Sequence, residues 1–376
     1  MMHRASPRKR LALLPALAMM FLVAASLMLT GCDLLGNLFG GMGQRASVFA
    51  IDSKNGNIYE IDTMTMTAAA VPLVSTMQNA TGDMIIRGAR AFIAVGSWAN
   101  DKPGLYWVDL SAPAPAARRI GEGISAQYVW ITAAGKGFVT SADYAGVYAN
   151  AVYTFDPQHP GSGLGEAVSG FAEYFFPQDV VSAGTGSEAR VFIADNGNGK
   201  VYRLNALGTA VEASFSTTAG GTTGLLPGSY DSDGDGIAEP GVFVANSGGW
   251  DAAWNPLPGS IDFIPCSHTD GMPAIAVEPG FSASRLAAFD AQHLIAVSYG
   301  VTSIINLSLP QGDPARITTV TYEGHSFGAS DVNVRDGIAY VPDGATAVYA
   351  FGLNGEVHRI PVGTTGAMIT NVAIRE

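Results

Sequence analysis

The feature that most limits what this chain can fold into is a short strand repeated seven times. The copies are FAID (49–52), FIAV (92–95), FVTS (138–141), FIAD (192–195), FVAN (243–246), LIAV (294–297) and YVPD (340–343), at spacings of 43, 46, 54, 51, 51 and 46 residues. Each is followed by a second apolar stretch, five of them with an aromatic near the start: IYEID (58–62), LYWVD (105–109), VYTFD (152–156), VYRLN (201–205) and VYAFG (348–352). IDFI (261–264) and IINLS (304–308) are degenerate versions. A weaker third run follows, as in VEASF (211–215), RITTV (316–320) and EVHRI (356–360). A further run precedes most copies: GDMII (82–86), QYVWI (127–131), QDVVS (178–182) and ASDVNV (329–334). β-Branched and aromatic residues alternate with polar ones, and Gly and Asn fill the turns between, as in RVFIADNGNGKVYRLN.

Four strands at such a period make one propeller blade, and seven blades lie within the usual range. No stretch beyond the first thirty residues keeps helical periodicity over three turns. The expectation is therefore all-β: a seven-bladed β-propeller of four-stranded blades over residues 47–376. The chain starts on a second strand, SVFAID, and ends on GAMITNVAI (366–374), which reads as the first strand of a blade. One blade should thus be closed by pairing of N- and C-terminal strands, hiding edges that otherwise invite aggregation.

The first residues carry an address. Arg4, Arg8, Lys9 and Arg10 precede an uncharged apolar run from Leu11 to Thr30, the pattern of an export signal. A run of that length also suits a membrane span, and the residues that decide are Leu29-Thr30-Gly31-Cys32. They resemble the lipobox of bacterial lipoproteins. That resemblance implies a signal peptide over 1–31, a lipidated Cys32 followed by a tether over 32–46, and a protein held on a membrane facing the periplasm or cell surface. The two or three acyl chains implied suffice for stable anchoring. With Cys32 lipidated, Cys266 has no partner and no intrachain disulfide forms. Cys266 reads as a small residue near a loop, since no clustered Cys or His accompanies Cys266-Ser267-His268.

Charge narrows the partners. All 32 acidic residues lie beyond Cys32, so removing the four basic residues of the leader moves the net charge from −12 to −16. Nucleic acid and anionic lipid head groups are disfavoured, because phosphate binding rests on clustered Lys and Arg.

The strand cores FVAN, FIAD and YVPD resemble the YVTN and NHL-type propellers of exported bacterial proteins, which supports the architecture and leaves the activity open. One loop is sharper: Asp231-Ser-Asp233-Gly-Asp235-Gly-Ile237-Ala-Glu239. Alternate carboxylates with glycines between them suit Ca²⁺. An EF-hand would need Glu where Val242 stands. The spacing resembles instead the calcium loop of FG-GAP repeats in integrin-type propellers. By that resemblance Asp231, Asp233, Asp235 and Glu239 give side-chain oxygens and Ile237 its carbonyl, with Glu in place of the commoner Asp at the end. A structural ion is expected, on the face opposite the loops that lead into the inner strands.

The other face carries aromatics. The loops 96–104, 141–151 and 246–260 hold Trp98, Tyr144, Tyr148, Trp250 and Trp254; those leading into inner strands add Phe175, Phe176, His325 and Phe327. Aromatic side chains on loops suit stacking on glycans, peptides or other planar ligands, or fold back to cover blade ends. Asp83, Asp179 and Asp331 occupy matching places near the start of inner strands. They either hold a metal, as in propeller lactonases of the gluconolactonase type, or bond amides of the next blade and fix the ring. No nucleophile elbow, HExxH pair or phosphate-binding loop is present, and DNGNGK (195–200) reads as a hairpin turn. The leading expectation is a membrane-anchored ligand- or protein-binding scaffold with a structural calcium; the alternative is a metal-dependent hydrolase or lactonase using Asp83, Asp179 and Asp331.

Overall fold

The computed structural model describes residues 48–375, apart from 254, 299 and 329. The leader, Cys32 and the tether lie outside the described residues, as does Trp254. Seven antiparallel sheets follow one another around a ring. Blades II to VII span residues 81–121, 126–167, 177–216, 222–279, 285–326 and 333–361, and blade I combines 48–75 with the last strand, Ile369–Ile374. Ile369–Ile374 pairs antiparallel with Val48–Asp52. The predicted seven-bladed propeller, closed by its two ends, is what the chain forms.

The repeated tetrapeptides are the second strands of the blades. Residues 49–52, 92–95 and 192–195 have no accessible surface at all. A strand buried on both faces reads as an unbroken apolar run, which is why these copies stand out in the sequence. Alternation then sends neighbouring side chains into different cores. Val48 and Ala50 pack with Tyr340, Val348 and Ile360 of blade VII, whereas Phe49 and Ile51 pack with Met84, Ile86 and Ile93 of blade II. The same holds around the ring, with one hydrophobic cluster at each of the seven seams.

Two blades depart from four strands. Blade I splits its outermost strand into Thr67–Ala68 and Val74–Ser75, and blade VI gains a fifth strand, His325–Ser326. The polar residue ending a second strand ties the loop before the inner strand to the blade. Asp52 accepts from the Met368 amide at 3.0 Å and Asp195 from the Phe176 amide at 2.9 Å. Both carboxylates are buried, so each bond is made away from water, where it counts most.

Candidate functional site

The inner strands run from one face of the ring to the other, so loops joining second to third strands share the upper face with loops leading into inner strands. Among the described residues, the strongly exposed aromatic side chains are Trp98 (79 %), Tyr144 (86 %), Tyr174 (79 %) and Trp250 (62 %). All four lie on upper-face loops, from blade II round to blade V. Sequence reasoning missed Tyr174, passing over it for its neighbours Phe175 and Phe176.

These loops are held in place rather than loose. Asp143 accepts from the amides of Ala145, Val147 and Tyr148 and from the Ser97 hydroxyl at 2.9 Å, joining the Trp98 loop to the Tyr144 loop. Burial works against that carboxylate, yet these donors hold it below the usual range. Tyr144 lies against Phe176 with ring centroids 4.2 Å apart. Phe176 is itself buried, so it supports Tyr144 instead of offering a binding surface; Phe175 is likewise buried, stacked on Phe171 at 3.8 Å. Tyr148 is half-buried. The Trp250 loop is a small hairpin, with Asp251 Oδ1 accepting from the Ala253 and Asn255 amides. At its base Gly248 has φ +89, and a side chain there would run into the Leu257 carbonyl. Ala99 and Tyr174 also sit at positive φ, a cost the surrounding structure carries at the two aromatic loops.

His325 lies apart from this arc. With Tyr322, Phe327, Tyr349 and Arg359 it lines a cavity of about 400 Å³ beside blades VI and VII. Phe327 is buried there, stacked on Tyr349 at 4.2 Å.

The centre of the ring holds a second constellation, around a cavity of about 320 Å³. Asp83 Oδ2 accepts from the Val129 amide at 2.8 Å, Asp179 Oδ2 from Leu225 at 2.8 Å, and Asp331 Oδ2 from Val372 at 2.9 Å. Each carboxylate thus bonds the inner strand of the next blade. Asp179 is also paired with Arg285 at 2.5 Å, and that guanidinium lies over the Tyr128 ring, 3.8 Å from its centroid. The three carboxylates do not all come within 4.8 Å of one another, which is a poor arrangement for one shared metal. Arg285 escaped sequence reasoning because it sits in no repeated run, and Tyr128, within QYVWI, was read only as part of a strand.

Electrostatics follow from enclosure. Burial pushes Asp83 up to about 7, against the pull of the Val129 amide, and raises Asp179 and Asp331 as well. Burial also drives the Tyr128 hydroxyl up to about 12. For Arg285 burial opposes the charge, but Asp179, Tyr128, Asp331 and Asp83 together outweigh it and the guanidinium is held more firmly protonated than usual. A carboxyl near 7 facing a cavity has the protonation balance of a general acid or base.

On the lower face, the acidic loop joins Thr222–Tyr230 to Glu239–Asn246, the first two strands of blade V. Asp231, Asp233 and Asp235 bring ligand oxygens within 4.8 Å of one another. Asp231 also accepts from the Gly234 and Gly236 amides, which shape the turn. Glu239 is turned to the Ser232 amide and does not join the three, and Ile237 is exposed with its amide on Asp235. Three of the expected side-chain ligands come together, and Glu239 is not among them.

No protein-family model matches the sequence, and no curated protein matches it. Solved structures do. A "putative 6-phosphogluconolactonase" from Bacteroides fragilis superposes with a TM-score of 0.61 at 10 % identity, over 89 % of this chain and 99 % of that one. A second such protein, from Bacteroides uniformis, gives 0.61 at 14 % identity, over 88 % and 100 %. A protein from Lactobacillus plantarum gives 0.58 at 14 %, over the same shares. At these identities the likeness is one of fold, and the chain is a seven-bladed β-propeller.

Proposed function

We propose that this propeller is an exported, membrane-anchored scaffold that captures a glycan or peptide partner on its upper face, without turning it over. The observation that carries the reading is the segregation of Trp98, Tyr144, Tyr174 and Trp250 to one face, on loops braced by Asp143 and Phe176. Large, rigid aromatic side chains lose little entropy on binding and dominate interface energies. The lipobox supports anchoring through Cys32, with the tether holding the ring off the membrane. The test is binding of the 47–376 ring to glycan and peptide arrays. Trp98→Ala with Trp250→Ala should weaken capture at least about 30-fold, the effect of losing a hot spot of about 2 kcal/mol, with an unchanged melting temperature. Equal capture by the variant would remove the upper face from the account.

The same reading includes a structural Ca²⁺ at Asp231, Asp233 and Asp235, whose oxygens suit a hard cation. The ion would neutralise three neighbouring carboxylates and brace the long hairpin of blade V. Chelation with EDTA should lower the melting temperature by several degrees, since a ligand at 100 times its Kd adds about 2.7 kcal/mol. Asp233→Ala should melt low with or without EDTA; an EDTA-insensitive wild type would contradict the site.

A second reading is a lactonase, favoured by Asp83 near 7 beside the central cavity and by the names of the two Bacteroides neighbours. There Asp83 would take a proton from the attacking water. Hydrolysis of sugar lactones that is lost in Asp83→Asn would establish it over the scaffold.

A further inference from the structure

Two blades carry the same charge spacing into the centre of the ring. Asp83 and Arg87 lie on the inner strand Thr81–Arg87 of blade II; Asp331, two residues before the inner strand Asn333–Arg335 of blade VII, and Arg335 at its end are likewise four residues apart, and all four line the central cavity. Alternate residues of an extended strand face one side, so each pair projects the same way, about 13 Å apart along the backbone. Inward-leaning side chains shorten that span. Between the two ends lie apolar side chains, among them Ile85, Leu226 and Ile374. Toward the upper face the cavity carries three carboxylates against the one guanidinium of Arg285, which is paired with Asp179; it is apolar at its waist and cationic toward the lower face.

The anionic end is not used up by the fold. Asp83 holds the Val129 amide through Oδ2 alone, and its remaining accessible surface faces the cavity. The Tyr128 ring is covered by Arg285, its hydroxyl makes no hydrogen bond among the described residues, and Tyr128 lines the same space. At the far end Arg335 touches Asp336 through Nε at 3.3 Å. Arg87 already donates to the Ile131 carbonyl, and nothing below needs it free.

We propose that the central channel binds a small dipolar molecule, an amino carboxylate whose ammonium and carboxylate groups are separated by an apolar spacer. The ammonium meets Asp83 and Asp331, and the carboxylate meets Arg335. A simple cation would leave the guanidinium end without a partner anion, and a simple anion would face buried carboxylates; a molecule carrying both charges satisfies both ends and crosses the apolar waist with its methylenes. This site is separate from the upper-face aromatics and stands or falls independently of them.

The test is calorimetric titration of the 47–376 ring with 6-aminohexanoate and 8-aminooctanoate, with hexylamine and hexanoate as single-headed controls. At least one amino carboxylate should bind about tenfold or more tighter than either control, a difference of about 1.4 kcal/mol. Asp83→Asn and Arg335→Gln should each weaken it about tenfold or more, with melting temperatures near wild type, and Trp98→Ala should leave it unchanged. Binding should also strengthen as the pH rises through about 7 and Asp83 ionises. No saturable binding up to about 10 mM, hexylamine binding as well as the amino carboxylate, or an Arg335→Gln variant with full affinity would overturn the proposal.

Discussion

A chain ending at residue 366 will not fold cooperatively. Removing the last ten residues takes away Ile369–Ile374, the inner strand of blade I, and with it the pairing to Val48–Asp52. Ile369 and Val372 are almost wholly buried, and each aliphatic side chain of that kind contributes about 1.5–3 kcal/mol. The ladder goes too, together with the Asp331 bond to the Val372 amide and the Asp52 bond to the Met368 amide. Domains are stable by only about 5–15 kcal/mol in total. The exposed edge of Val48–Asp52 would then be a template for aggregation. Circular dichroism and thermal melting check this: the expected outcome is an insoluble or non-cooperative chain, and a normal melting transition would contradict closure.

Arg285→Met is the second large effect. It leaves the Asp179 carboxylate buried with only the Val180 and Leu225 amides for company, and breaking a buried pair from one side costs about 3–5 kcal/mol. The cation–π contact to Tyr128 is lost as well. Adding Asp179→Asn should recover much of the loss, because a neutral amide oxygen still accepts from Leu225. The single variant should also be less destabilised in acid. Burial already raises Asp179 above its unfolded value, and without Arg285 it rises further. A raised carboxyl binds its proton more tightly in the folded state, so stability is lost as pH rises through the folded pKa. Denaturant melts at about pH 5 and about pH 8 should show the larger deficit at the higher value. Equal deficits at both would mean that Asp179 is not left charged.

The fold was legible because the second strands are buried on both faces. FAID, FIAD and FVAN cannot tolerate polar interruptions except at their ends, where Asp52 and Asp195 bind the loops and Asn246 bonds Asp262 on the adjacent strand. The inner strands were harder, since they face both a seam and the channel. That of blade V, Thr222–Tyr230, holds a glycine at position 224 and Pro227, and that of blade VI is the four-residue Arg285–Ala288. Neither advertises a repeat, so Arg285 went unnoticed; the amide hydrogen bonds of the three aspartates to the next blade were among the expected roles, but the ion pair on Asp179 was not. The upper-face loops were legible as aromatic but not as to which rings turn inward. Phe176 and Tyr144 look equivalent in sequence; packing against each other decides that one is floor and the other surface.

Oxidative footprinting of the full-length protein expressed in intact cells, compared with the purified 47–376 ring, tests the central claim most directly because it reads the covered surface whatever the partner is. Trp98, Tyr144 and Trp250 should be protected on cells, while the exposed lower-face residues Met64, Leu207 and Leu353 react equally in both samples. Equal reactivity of the upper-face aromatics in both samples, or protection confined to the lower face, would contradict the account.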